Sequence, residues 1–441
     1  MRTTASTSGL RTMLALAGMA LLPGCGLLGA ALGGNEAPER LPPPKEQRKD
    51  PPVLTAEQQS RQDEVDAYLA ERYRALGWQI VETTQLAESG DIIDWLDPTS
   101  VPGADAPPPP NPDPAELEPP PGADVGVTEL EVDSGAWGPA GTIPEWRPTF
   151  SGYVLGETGA TSVEDWIENH QVLGQPDGQH RLYAGLGVQT PVIMASSRVN
   201  QWGGAVELGT VSLLEMAVKC LGSNPEETEE LVGVAASRDE HNFRGEGPGL
   251  RLRIEFMSAG PKNAGDEEGG WHGQVTGFVP VIGRPFGPGA VLFESTLGGQ
   301  QIDSQFQILL HEGDWWIGHQ GRWLGYYPGR LFDLMSTSAC AVEWYGEVYD
   351  PTPADWTWSD MGSGQFGDSN GWQQAAYFRS PYYLDEVGIL HMVDDTAVAA
   401  YVRPSDPACY TVSSLHINNN DPTWQRYFFA GGPGGDAPGC D

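Results

Sequence analysis

The chain has 441 residues, with 60 acidic side chains against 24 basic ones and a formal net charge of −36. A surface that negative repels phosphate backbones and anionic lipid, which excludes nucleic-acid binding by a basic patch. Hydrophobic residues make up 39% of the chain, enough for a large core, and 57 Gly with 15 Trp suit an exported β protein better than a helical cytosolic enzyme.

Arg2 and Arg11 precede an apolar run, 13–22, that ends at Pro23-Gly24-Cys25. A basic start, a short apolar stretch and a small residue before the cut predict an export signal over 1–25, too short to span a bilayer. Leu22-Pro23-Gly24-Cys25 resembles the lipobox of bacterial lipoproteins, although Pro23 is unusual there. Lipidation of Cys25, with a membrane reached only through that anchor, stands beside ordinary secretion as the two readings. Both place the mature chain outside the cytoplasm. Cys220, Cys340, Cys409 and Cys440 then remain, allowing two disulfides in three connectivities. Cys409–Cys440 closes the shorter loop and is preferred, which leaves Cys220 with Cys340.

Residues 26–54 are rich in Pro and charge and read as a tether. A helix follows, with Thr55 and Gln58 as a capping box and Val65, Tyr68, Leu69, Tyr73 and Leu76 on one face up to Gly77. Trp78 to Val81 reads as a strand. This α+β unit, 55–101, is too small to bury much surface alone. Residues 102–121 hold ten prolines in twenty positions, so 102–124 is expected to be an extended, solvated linker open to proteolysis. From about 145 to 441 the pattern turns to period two. Leu250-Arg251-Leu252-Arg253-Ile254-Glu255-Phe256 alternates as a strand with one wet face does. Strands are also predicted over 182–185, 192–199, 206–218, 231–236, 277–282, 290–294, 305–311 and 315–327. Many short strands with few helices predict an all-β fold, an antiparallel β-sandwich.

No H-E-x-x-H or P-loop is present, and no C-x-x-C. His311 beside Glu312 reads as a surface pair, not a metal ligand. Glu347 is the most interesting carboxylate, set in Trp344-Tyr345-Gly346-Glu347-Val348-Tyr349 among aromatics, where desolvation is costly.

Gly313-Asp314-Trp315-Trp316, Leu324-Gly325-Tyr326-Tyr327-Pro328, Leu331-Phe332 and Trp344-Tyr345-Gly346-Glu347-Val348 together resemble the motif series of the neprosin family. The series continues in order through Met361 to Phe366, Ala375 to Arg379, Cys409-Tyr410 and Gly431 to Gly434. Upstream, Gly90-Asp91-Ile92-Ile93-Asp94-Trp95 is similar to the GDIIDCV signature of the family's activation peptide, with Trp95 in place of Cys. The resemblance implies a secreted glutamic endopeptidase made as a zymogen, cleaving proline-containing peptide or protein after proline at acidic pH. It implies two facing glutamates on a sandwich of two antiparallel sheets, no cofactor and no metal, and a pro-unit that inhibits its own chain. Glu347 matches the second catalytic Glu. For the first, Leu231 occupies the aligned position, and Glu230, one residue early, is favoured with Glu229 behind it; Glu207 and Glu215 are lesser candidates. Trp344, Tyr345 and Tyr349 are expected to stack on a substrate proline, and Gly362-Ser363-Gly364 to shape a turn. Two other readings are a catalytically inactive domain that binds peptide or polysaccharide, supported by Leu231, and a glycoside hydrolase with paired Glu.

Overall fold

In the computed structural model the helix α1, Ala56–Leu76, buries Val65, Leu69 and Tyr73 on one side. Gly77, at φ +76, ends it in the left-handed conformation that suits a residue without Cβ. The structure describes residues 56–86, 91–110, 123–125, 138–148, 162–163, 181–207, 210–222, 229–239, 249–258, 269–273, 275–282, 286–349, 359–396, 398–403, 407–421, 423–436 and 440. Cys25, the export signal, the tether, Thr55 and most of the Pro-rich segment lie outside the described residues.

Three strands follow the helix: β1 (Ile80–Gln85), β2 (Ile92–Leu96) and β3 (Ile143–Trp146). They pair antiparallel with β2 in the middle. The strand expected at Trp78 begins two residues later, because Trp78 stacks on Tyr73 to close the helix end. Asp94 is fully buried in β2 and is held by Arg147 through two bonds of 2.7 and 2.8 Å. The sheet therefore crosses the boundary expected at 145, since β2 needs a partner on its second edge. Residues 101–110 also differ from the solvated spacer expected there. Val101 and Ala104 are buried, Trp323 Nε1 donates to Pro109 O at 2.8 Å, and the Ile282 N–H donates to Ala104 O.

The larger part is built on β4 (Arg181–Asn200), one long strand where two short ones are predicted. After it come β5 (Val211–Leu221), β6 (Glu229–Asp239), β7 (Leu250–Met257), β8 (Gly269–Trp271), β9 (Gln301–His311), β10 (Asp314–His319), β11 (Arg322–Tyr327), β12 (Ala339–Tyr349), β13 (Ala376–Asp385), β14 (Val398–Arg403) and β15 (Arg426–Gly431). The first half of β4 lies between β12 and β14, and β12 leads on through β5, β6 and β7 to β8. Its second half lies between β9 and β13, flanked in turn by β10 with β11 and by β15. All of these pairs are antiparallel; Ala123–Val125 adds a parallel pairing to β9. One curled sheet results where two separate sheets are implied. The core-facing set of β4 changes from Leu186, Val188 and Val192 to Ala195 and Val199, and the register against β13 shifts between Val192 and Met194. Trp315, Trp344, Phe306, Phe256 and Phe378 fill the core between the layers.

Disulfides join Cys220 to Cys340 and Cys409 to Cys440. No helix among the described residues is long and apolar enough to cross a membrane.

Candidate active site

Strand parity builds the site, because alternate side chains leave a strand on opposite faces. Across β5, β6, β7 and β12 the even-numbered residues Leu214, Met216, Val232, Val234, Ile254 and Trp344 enter the core. The odd-numbered ones share the other face, and in-register pairing sets Tyr345 opposite Glu215 and Gly233 opposite Glu255. Glu347 stands one step further along β12, opposite Leu213 on one side and Tyr183 of β4 on the other.

Three carboxylates are thus buried on one polar face: Glu215 (0% exposed), Glu255 (2%) and Glu347 (2%). Their partners differ. Glu347 Oε1 accepts from Arg181 Nη1 at 2.7 Å, and the same guanidinium lies 5.5 Å from the ring centre of Tyr349. Glu255 Oε2 accepts from Arg253 Nε at 2.8 Å, and Arg253 also reaches Asp239 at 3.3 Å. Among the described residues no cation is in hydrogen-bond contact with Glu215: its Oε2 accepts from the Tyr345 hydroxyl at 2.7 Å, its Oε1 meets no donor, and the charge of Arg253 acts on it only from further off.

The proton affinities follow from these surroundings. Burial, then the charges of Glu255 and Glu347, push the Glu215 carboxyl well above the ordinary range. Burial also raises Glu347, but Arg181 opposes the rise, so the charge of the pair settles on Glu347 and the proton on Glu215. Burial works against the charge of Arg181, yet Glu347 and Tyr183 hold it protonated. Tyr345 and Tyr183 are raised by burial first and by the glutamates facing them next, so both stay neutral, Tyr345 donating to Glu215.

The structure does not bring Glu230 to Glu347. Glu230 has the parity of Val232 and Val234 and leaves the opposite side of β6. Its carboxylate accepts three backbone N–H groups, from Asp333 and Leu334 at 2.8 Å and from Met335 at 2.9 Å. The single-residue offset in the motif therefore moves that side chain to the wrong face, and no bulge restores it. Glu229 has the right parity but sits at the strand end, 3.5 Å from Lys219, which also binds Glu343 at 2.8 Å. Glu207 precedes β5, its N–H donating to Ser359 Oγ at 2.9 Å. Leu231 occupies the polar face, packed with Leu213, Ala235 and Tyr345.

Trp344, expected to meet substrate, is instead fully buried in the core, again by parity. Tyr345 and Tyr349 do share the face of Glu347. Gly362 and Gly364 form a turn at φ +63 and +74. Near it Met361 packs over Gly346, where a Cβ would strike the Met361 side chain. Among described residues no group of three or more His, Cys, Asp or Glu is placed to hold a metal. Glu255 and Arg253 were missed because the 250–256 alternation reads as a solvated face, yet Arg251, Arg253 and Glu255 are all buried. Arg251 is covered by Asp91, at 2.6 and 3.0 Å, from the start of β2.

Comparison with solved structures finds similarity to Scytalido-glutamic peptidase bound to a peptide-based transition-state analogue. The TM-score is 0.26 at 6% identity, covering 58% of this chain and 98% of that one. The same peptidase with a transition-state analogue inhibitor gives 0.27 at 7%, with the same coverage. SCP-B, described as a member of the Eqolisin family of peptidases and bound to the tripeptide Ala-Ile-His, gives 0.26 at 6%, again covering 58% and 98%. The Neprosin family model matches residues 251–433, a span that holds Glu255 and Glu347 but begins after Glu215, and by that match the chain carries a Neprosin domain.

Proposed function

We propose that the chain is a glutamic peptidase in which Glu347 and Glu215 activate a water against a peptide bond. The observation that supports this reading is the unequal treatment of two buried carboxylates on neighbouring strands: one beside Arg181, the other with only a tyrosine hydroxyl. Two carboxyls sharing a site divide one proton. Glu347, ionised, takes a proton from water as it attacks the scissile carbonyl. Glu215, protonated, hydrogen-bonds the carbonyl oxygen and then supplies a proton to the leaving nitrogen. Such a pair works only while it holds a single proton. Activity is bounded on the acid side by protonation of Glu347 and on the other by ionisation of Glu215, so the reading places the optimum in the acid range.

Cleavage after proline, export with Cys25 as a lipid anchor, and inhibition by the unit of α1 and β1–β3 until the Pro-rich segment is cut complete the proposal; they rest on the sequence resemblance. Separate Glu347→Gln and Glu215→Gln variants are expected to lower kcat for a proline-containing protein at acid pH by about 10³-fold or more, the scale on which paired acid–base groups act. Undiminished hydrolysis by either variant would refute the pairing. Leu231 on the polar face favours a second reading, a domain that binds peptide without cutting it. Saturable binding of a proline-rich peptide with no product at any pH would select that one.

A further inference from the structure

Glu255 has no part in the two-carboxylate scheme, yet the fold makes room for it beside that pair. Between β5 and β7 runs β6, and the position that separates Glu215 from Glu255 on this face is Gly233, in register with Glu255. A Cβ at Gly233 would overlap Glu215 Oε1 and come within 3.3 Å of Glu255 Cγ. The glycine is therefore a slot over which one carboxylate leans toward the other. Only hydrogen fits there, and the bare Oε1 of Glu215 is the atom that occupies the slot.

We propose that Glu255 is a positioning residue for the Glu215–Glu347 pair: its charge, fixed by Arg253 and facing Glu215 across Gly233, keeps the shared proton on Glu215. The groups facing Glu215 and Glu255 from the surrounding strands agree with this. Arg181 and Tyr183 of β4 stand on the Glu347 side, as do Glu343 and Tyr345 of β12 with Lys219 of β5 and Glu229 of β6. Asp239 of β6 and Arg253 of β7 stand on the Glu255 side, with Tyr327 of β11 facing it from the core. Arg181 is bound by Glu347, and Arg253 by Glu255 and Asp239, so neither cation pairs directly with Glu215 and Arg253 offsets its charge only from further off. Removing the Glu255 charge acts twice in one direction: a like charge disappears, and Arg253 is freed to draw an anion toward itself.

The proposal rests on the peptidase reading for its kinetic arm only, so the test has a second arm that needs no catalysis. Glu255→Gln keeps an acceptor for Arg253 and is expected to move the upper limb of the kcat/KM–pH profile down by about one unit, with the plateau below it retained. Glu255→Asp, which keeps the charge, is expected to restore the limb. In the second arm, urea unfolding across pH compares Glu215→Gln with the parent in both the native and the Glu255→Gln backgrounds. The advantage of Glu215→Gln grows with pH and levels off once native Glu215 has ionised. In the Glu255→Gln background it is expected to level off about one unit earlier and about tenfold smaller in the unfolding constant. Levelling at the same pH and size in both backgrounds overturns the proposal. A shifted plateau in a protein that never cuts peptide leaves Glu255 in its role and removes the peptidase reading. Hydrolysis with an unmoved limb and an unmoved plateau does the opposite.

Discussion

Glu230→Ala separates the pairing expected from the motif from the one the fold produces. Glu230 is fully buried, and its two oxygens hold the N–H groups of Asp333, Leu334 and Met335 at 2.8, 2.8 and 2.9 Å. A hydrogen bond to a charged group contributes about 1.5–3 kcal/mol, and a buried donor left without a partner costs about 1–3 kcal/mol. The Met335 N–H is buried and bears that cost, whereas those of Asp333 and Leu334 are partly open and recover water. The sum expected is about 3–5 kcal/mol of lost stability. The Cys220–Cys340 bond ties Cys220, the cross-strand neighbour of Glu230, to the segment that follows the loop, so the loop has little freedom to escape the vacancy. Urea unfolding near neutral pH measures the loss, with Glu229→Ala as the control. Glu229 is partly exposed and 3.5 Å from Lys219, a pair worth under about 1 kcal/mol. Under conditions where Glu230→Ala remains folded, its acid-pH hydrolysis per folded molecule is expected to match the parent. Equal stabilities for the two variants would refute the structural account, and a folded Glu230→Ala variant without activity would return Glu230 to the catalytic pair.

The two disulfides differ in the chain they close, 120 residues for Cys220–Cys340 and 31 for Cys409–Cys440. Loop-closure entropy gives about 4.9 and about 3.7 kcal/mol respectively, so replacing both cysteines of a pair with Ala should cost more for the first; the reverse order in urea midpoints counts against this. His319 is buried between Phe286 and Phe306, and burial, then Arg198 and Arg322, lower its pKa from 6.5 to about 3. A histidine held neutral in the fold loses stability as pH falls below its unfolded value. Between pH 7.5 and 4.5 that loss is about 2–3 kcal/mol, and His319→Gln should escape it; parallel pH–stability curves for parent and variant would exclude the effect.

The fold was legible in the sequence where period two and turn chemistry agree. The alternation of 250–256 predicts β7, and Val65, Leu69 and Tyr73 predict the buried side of α1. What could not be read is what covers each face. Arg251, Arg253 and Glu255 look solvated because charge ordinarily marks water, and only the tertiary pairings with Asp91, Asp239 and one another reveal an ionic interior. Of the candidate site, the costly environment of Glu347 was legible, since its aromatic neighbours signal it. Which carboxylate shares its face was not: telling Glu215 from Glu230 needs the register of two strands, and local sequence gives only parity within one. Trp344 lies three residues from Glu347, an odd step that turns it to the core face, whereas Tyr345 and Tyr349, two residues away on either side, share the face of Glu347.

The burial of that ionic face makes the N-terminal unit more than a neighbour. Arg251 leaves β7 on the same side as Arg253 and Glu255, and the group that neutralises it, Asp91, comes from the β2 end of the smaller sheet. Arg72 of α1 binds the carbonyls of Gly273, His272 and Val275, and Glu145 of β3 meets His272 at 2.7 Å. Breaking a buried pair by deleting one member costs about 3–5 kcal/mol, because the other charge stays desolvated. Undocking the unit is different: both Arg251 and Asp91 return to water, and the hydration they regain offsets the lost attraction. The same contacts that make single substitutions at Asp91 expensive therefore set only a modest electrostatic hold on the unit as a whole. Its apolar residues Leu86, Ile93, Trp95 and Trp146, which join the main core cluster, supply the rest of the grip.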